Sequence, residues 1–315
     1  PIKFVLDWKH QGIHAWYYLA MDKGYFAQEK IDLVVDQGDG SANAVTKVMA
    51  GTYQASFGDV NAIVQAAATR PDQAPVMVYM LSNTPPYPTM TKPSSNIRTD
   101  KDLQGKTIGS PAGGAAYKMF SVLAEKNGID PAKVTWTNMA PNLQEQMLLR
   151  DQVDASAVFT VTSYMNLVAQ NVDPDKDIRW INYSDNGIDL YGNGVLVSRQ
   201  LVKDKPQVVA GLVRAINKGV RDSIANPDAA IEALAKREPL INKDLEKRRL
   251  MYALKNVVLT PEAMKNGVGD VNDARFNRSI DQLAKAFELT AKPAAKDVFA
   301  RFFLPPVADR QFSVK

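Results

Sequence analysis

A chain of 315 residues exceeds the length at which one hydrophobic core usually stops growing, so two domains or two lobes are expected. Apolar residues at 45% and charged residues at 23% are ordinary for a globular protein, and a net charge of +4 without any long basic run gives no nucleic-acid footprint. The absence of cysteine excludes disulfides, thiolate catalysis and Cys-ligated metal, and no apolar run approaches the roughly 18 residues needed to span a membrane.

In chain order, IKFVL (Ile2–Leu6) reads as a strand and Ala15–Lys23 as a helix stopped by Gly24, where left-handed backbone is cheap. Ile31–Val35 is a second strand. Ala42–Ala50 is a helix ended by Gly51, and Ala55–Phe57 a third strand; Asp59 is then placed to cap a helix over Val60–Ala68. APVMVYML (Ala74–Leu81) is a fourth strand, with the continuous apolar run of a strand buried on both faces. Proline-rich Asn83–Pro93 breaks this rhythm and reads as a crossing segment. A second α/β unit follows, with strands at Lys106–Ser110, Lys133–Met139, Ala155–Phe159 and Ile178–Asn182. Its helices are Gly114–Lys126, Asn142–Arg150 and Ser163–Gln170. Gly-rich Gly187–Arg199 is a return crossing that ends in a strand over Val195–Ser198. From Pro206 the chain is mainly helical, with Asn226-Pro227 and Thr260-Pro261 as helix starts and an amphipathic helix over Ala274–Phe287.

The expected fold class is α/β: two lobes, each a mostly parallel sheet flanked by helices, with a ligand cleft between them. Residues 1–88 with 195–315 form one lobe, and 89–194 form the other with the hinge crossings. Ligands in open α/β sheets bind beyond the carboxyl ends of the strands. That nominates the junctions Asp7–His14, Gly38–Ser41, Gly58–Asn61, Ser82–Thr84, Ser110–Ala115 and Phe159–Ser163. The residues expected to bind ligand are Trp8, His10, His14, Asp59, Asn83, Ser110, Gly113, Gly114, Ala115, Phe159, Thr160, Asp189, Tyr191 and Asn193. A flat ligand between Trp8 and Tyr191 would gain stacking. The turn SPAGGAA at the start of a helix suits a carboxylate or small anion, while its glycines serve packing equally well. Asn186 and Asp189 also have a plain reading as turn chemistry. The stripe His14, Tyr17, Tyr18 and Met21 has the spacing of a packed helix face as well as of a pocket wall.

Catalytic signals are sparse. His10 and His14 are four apart, but Gly12 lies between them and no third metal ligand is marked. HExxH, GxSxG, Walker and GxGxxG patterns are missing from the sequence. Neither a metal nor a cofactor is expected.

The ordered set Leu6-Asp7-Trp8, His14, Tyr18, Gly24-Tyr25-Phe26 and Ile31-Asp32-Leu33 resembles a known family. ASFGD (Ala55–Asp59), LQGKTIGS (Leu103–Ser110) and Val195–Ser198 extend the resemblance over most of residues 1–220. The family is the thiamine-pyrimidine-synthase-like group, with sulfonate- and nitrate-binding members, of ABC-transporter solute-binding proteins. The resemblance implies a type II periplasmic-binding-protein fold, a small-molecule ligand held between lobes, and an ABC permease in the inner membrane as partner. It implies a monomer in the periplasm, or exported and lipid-anchored, with any signal segment ahead of Pro1. Trp8 and His14 would line the pocket, and Ser110 with Gly113–Ala115 would match an anion-holding loop. The family's pyrimidine binders carry an acid near the return crossing, where this chain has Gly192-Asn193-Gly194, with Asp189 nearby. Two alternatives stay open: a pyrimidine-synthesis enzyme that consumes its own histidine with pyridoxal phosphate, and a ligand-sensing protein for sulfonate- or nitrate-like anions. The cysteine-rich motif of the family's fungal enzymes cannot exist in this chain.

Overall fold

The computed structural model describes residues 1–313. Two five-stranded sheets carry the chain. The first is built from β1 (Ile2–Val5), β2 (Leu33–Asp36), β3 (Ala55–Asp59), β4 (Val76–Met80) and, after a long excursion, β10 (Asn193–Val197). Its order is β2-β1-β3-β10-β4. The second uses β5 (Pro88–Thr91), β6 (Thr107–Ser110), β7 (Thr135–Asn138), β8 (Ala155–Ala157) and β9 (Arg179–Asn182), in the order β7-β6-β8-β5-β9.

Within each sheet the strands joined through helices run parallel: β1 with β2 and β3, β6 with β7 and β8. The strands that follow a crossing run antiparallel to their neighbours. β5 opposes β8 and β9, and β10 opposes β3 and β4. A chain that leaves one sheet at its carboxyl edge enters the other pointing backwards, so each crossing contributes one reversed strand. β3 and β4 are buried along their whole length, which explains the unbroken apolar sequence of β4.

One strand was not expected. β5 lies inside the proline-rich segment read as a pure crossing. Pro88 occupies its first position, where a missing N–H is tolerated, and all four residues are buried.

Asp59 caps the helix Val60–Thr69 by accepting from the Asn61 N–H at 3.0 Å. The helix Ala115–Asn127 stops at Gly128, whose φ of +68° favours glycine although a Cβ there would meet open space.

The C-terminal helices straddle the two sheets. Pro206–Ala225 packs on Ala15–Asp22 beside the first sheet; a Cβ on Gly219 would fall 2.3 Å from the Trp16 carbonyl oxygen. Lys243–Ala253 packs on Thr160–Ala169 of the second unit, and Asp273–Ala286 on Ala115–Asn127. Tyr164 and Tyr252 stack across the first of these contacts with ring centroids 5.2 Å apart. Among the described residues no helix is long and apolar enough to cross a membrane.

Candidate functional site

β1 ends at Val5 and carries Leu6, Asp7 and Trp8 past the sheet edge. The turn after β2 pins this extension: the Gly40 N–H donates to the Asp7 carbonyl at 2.8 Å and the Gly38 N–H to the Trp8 carbonyl at 3.1 Å. Glycine at 38 is obligatory, because a Cβ there would lie 1.8 Å from the Leu6 carbonyl oxygen.

The side chain so placed is a buried carboxylate. Asp7 is 2% exposed. Its Oδ1 accepts from His14 Nε2 at 2.6 Å and its Oδ2 from Asn193 Nδ2 at 2.9 Å. The Gln11 N–H donates to His14 Nδ1 at 3.1 Å, which fixes the proton on Nε2. His14 therefore positions Asp7 from behind and has no free nitrogen for a ligand.

The facing wall comes from the second unit. Ser110 closes β6, and Pro111 and Gly114 lead into the start of the helix Ala115–Asn127. Asp7, Trp8, Gln11, Ser41 and this turn enclose a cleft with Gln144, Phe159 and Thr162. Thr162 Oγ1 donates to Gln11 Oε1 at 3.2 Å, directly across the two units. The cleft is closed down to about 20 Å³, room for a water but not for an aromatic ring. Asp7 is the one charged residue among its described walls; no lysine, arginine or histidine lines it.

A second chamber of about 20 Å³ lies behind the first, and Asp7 and Phe159 wall both. Its remaining wall includes Trp16, Phe57, Val161, Val257 and Asn193.

Of the residues nominated from sequence, Trp8, Ser110, Gly114, Ala115 and Phe159 line the front cleft, and Asn193 lines the rear chamber. The Ser110 hydroxyl is already donated to the Ala157 carbonyl at 2.7 Å. The others lie elsewhere. Tyr191 is fully buried in the core: its hydroxyl donates to Glu262 at 2.6 Å and accepts from the Asn272 N–H at 2.8 Å. The Arg275 guanidinium sits 3.8 Å from its ring centroid, so a Trp8–Tyr191 sandwich is not assembled. Asp189 points outward to Arg275 and Arg278. His10 bonds Tyr18 and Glu238, and burial lowers its pKa against the opposing pull of Glu238. Asn83 ties the first crossing to Glu262 and Thr260. Thr160 bonds the Pro86 carbonyl. Gly113 is small for a different reason than ligand approach: a Cβ there would meet the Asn43 side chain at 2.2 Å, in the other unit. Tyr17 and Tyr18 of the aromatic stripe belong to the core.

Asp59 is also structural in placement. Its Oδ1 accepts from the Asn61 backbone, the Asn61 amide and the Tyr87 hydroxyl, while Oδ2 has no partner. Burial without a cation pushes its carboxyl up to about 7. Asn61 also donates to the Tyr191 carbonyl at 2.7 Å, so this group holds both crossings to the end of β3.

Asp7, Gln11, Ser41, Gln144 and Thr162 were not singled out from sequence. All but Gln144 fall in nominated junctions, and Asp7 stands beside Trp8 in the opening motif. Gln144 sits inside a helix-like run without a distinguishing signal.

Residues 11–230 match the family described as NMT1/THI5 like, and the chain belongs to that family. It is 26% identical over 221 residues to the riboflavin-binding protein RibY of Chloroflexus aurantiacus, covering 69% of this chain and 60% of that one. The match thus spans less than two thirds of RibY. It is 24% identical to the formylaminopyrimidine-binding protein of Halalkalibacterium halodurans, over 95% of this chain and 89% of the relative. A 22% identical relative from Legionella pneumophila, matched over 78% of this chain and 76% of its own length, is named 4-amino-5-hydroxymethyl-2-methylpyrimidine phosphate synthase. Among solved structures, the alkanesulfonate-binding protein SsuA of Xanthomonas axonopodis pv. citri superposes with a TM-score of 0.69 at 18% identity, covering 95% of this chain and 99% of that one. The architecture is that of the periplasmic binding proteins.

Proposed function

We propose that this protein is the solute-binding receptor of an ABC importer and takes a small, planar, uncharged or cationic heterocycle between its two units. The observation that carries this reading is the cleft itself: both sheets end on it, both units wall it, and a buried carboxylate is its one charged wall group. Residues 1–88 with 195–315 and 89–194 would move as the two lobes, hinged at the crossings. The relatives named for riboflavin and formylaminopyrimidine binding support the class.

The wall chemistry narrows the solute. Asp7 and Gln11 favour ligand N–H or O–H donors on one side. On the other, the first turn of the helix Ala115–Asn127 offers backbone N–H groups to an acceptor. A ring edge with adjacent donor and acceptor, as in pyrimidines and flavins, matches both sides. A free sulfonate or nitrate would meet Asp7 without a compensating cation, which counts against the sensing alternative for such anions. The synthase alternative needs a reactive lysine and a consumable histidine. No lysine is among the described cleft walls, and both nitrogens of His14 are engaged.

Thermal unfolding of ligand-stripped protein against riboflavin, aminopyrimidines, alkylsulfonates and nitrate tests the reading. A solute at a hundred times its dissociation constant adds about 2.7 kcal/mol of stability. A shift with a heterocycle that disappears in Trp8→Ala is expected; a shift with alkylsulfonate or nitrate alone would overturn the assignment of class. Conversion of an added substrate, with loss of His14, would support the enzyme instead.

A further inference from the structure

We propose that the chamber behind Asp7 and Phe159 is a second subsite, which receives an apolar or aromatic group carrying an O–H or N–H donor; its use by a transported solute rests on the receptor reading above. Asn193 supplies the first observation. It is 1% exposed and walls the chamber. Its Nδ2 donates to Asp7 at 2.9 Å, whereas its Oδ1 has no hydrogen-bond partner. The amide orientation follows from this pairing, in which the Asp7 oxygen accepts and only Nδ2 of the amide can donate. A buried carbonyl oxygen without a donor is destabilising, and one beside a cavity is best relieved by what enters that cavity.

The rest of the wall sets the character of the guest. Phe57, Phe159, Val161 and Val257 are apolar, and Trp16 adds an indole whose Nε1 also lacks a partner. Asp7 walls both chambers and disfavours an anion beside it. Phe57 comes from the first unit and Phe159 and Val161 from the second, so the chamber widens as the units part. A neutral ring bearing a hydroxyl or amine then satisfies Asn193 as the units close upon it.

Fluorine NMR titration of the full chain with 4-fluorophenol and 4-fluoroanisole tests the proposal, since the two probes share a ring and differ in the donor. Binding of 4-fluorophenol tighter by about tenfold or more is expected, because the anisole leaves Asn193 Oδ1 unpaired. Val257→Phe, which fills the chamber, should abolish that preference, and Ala253→Ile does so from a second wall position if the first variant fails to fold. Phe302→Ser, at an 87% exposed ring, should leave it unchanged and controls for surface adsorption. Equal binding of the two probes, no binding of 4-fluorophenol, or a preference that survives both filling variants would overturn the subsite. Riboflavin titrated against the same variants separates the two readings. If riboflavin and the aminopyrimidines fail to bind wild type while 4-fluorophenol shows its preference, the receptor reading falls and the chamber stands. If riboflavin binds wild type and Val257→Phe alike and the probes show no preference, the chamber falls and the receptor stands.

Discussion

Both oxygens of Asp7 are taken by donors from its own protein, which makes this residue a keystone of the cleft before any ligand arrives. Asp7→Asn would present one acceptor to two buried N–H donors, His14 and Asn193. A loss of about 2–3 kcal/mol in urea unfolding is expected, together with loss of ligand-induced stabilisation. Asp59 behaves in the opposite sense, because no cation compensates its burial. Its carboxyl is raised to about 7 from an ordinary 3.8, so between those values the folded chain holds a proton that the unfolded chain has released. Stability from this group is fully present below about pH 4 and falls as the pH rises through 7. Asp59→Asn keeps an acceptor for Asn61 and Tyr87 and removes the titration. Its urea midpoint should exceed that of wild type at pH 8 by more than at pH 4.5; an identical difference at both values would show that Asp59 is ionised throughout. At this scale sequence was a partial guide. Trp8 and Phe159 follow from strand-end position alone. Tyr191 and Asp189 stand in an equally promising crossing, yet their partners Glu262 and Arg275 come from helices more than seventy residues later, which no local pattern announces.

Among the elements, the helix Lys243–Ala253 does more than pack on Thr160–Ala169. Arg249 and Glu246 are 3% and 5% exposed and paired at 2.7 Å. Arg249 donates to the Val161 and Thr162 carbonyls at 2.8 and 2.7 Å, and Glu246 accepts from the Gly12 N–H at 2.8 Å. The pair thus joins the turn that follows the Asp7 extension to the helix bearing Thr162. Arg249→Met leaves Glu246 buried and unpaired, with an expected cost of about 3–5 kcal/mol. Adding Glu246→Gln should recover part of it, and a double-mutant cycle reads the coupling directly. From sequence this stretch, KDLEKRR, reads as a solvated charged face, and two of its charges, Lys243 and Lys247, do ion-pair at the surface. The buried pair escapes because helical spacing shows which residues share a face but not that the second unit packs there. β5 escaped for a related reason: its prolines signal a break, while its pairing with β8 and β9 is a tertiary fact. The strands and helices with their own start and stop chemistry, such as Asp59 before Val60 and Gly128 after Asn127, lay within a few residues of where the sequence put them.

Over the whole molecule, a cleft of about 20 Å³ does not admit a ring in the conformation described, so the receptor reading calls for an open state. Ligand-free protein in solution must visit an open state to exchange solute, and small-angle scattering should show a smaller radius of gyration on adding a binding heterocycle. Identical scattering with and without ligand, alongside a thermal shift, would mean that closure precedes binding. The α/β class and the two-crossing layout follow from strand and helix order, because connectivity is written along the chain; the closing surfaces are not, because they join segments far apart in it. The stacked rings of Tyr164 and Tyr252 lie on such a closing surface, one on each side of it. Two tyrosines held at 5.2 Å and 20° are close enough for excitonic coupling, which parting of the two units would remove. The protein thus carries its own chromophore for the motion, and near-ultraviolet circular dichroism can time opening and closing without any attached label.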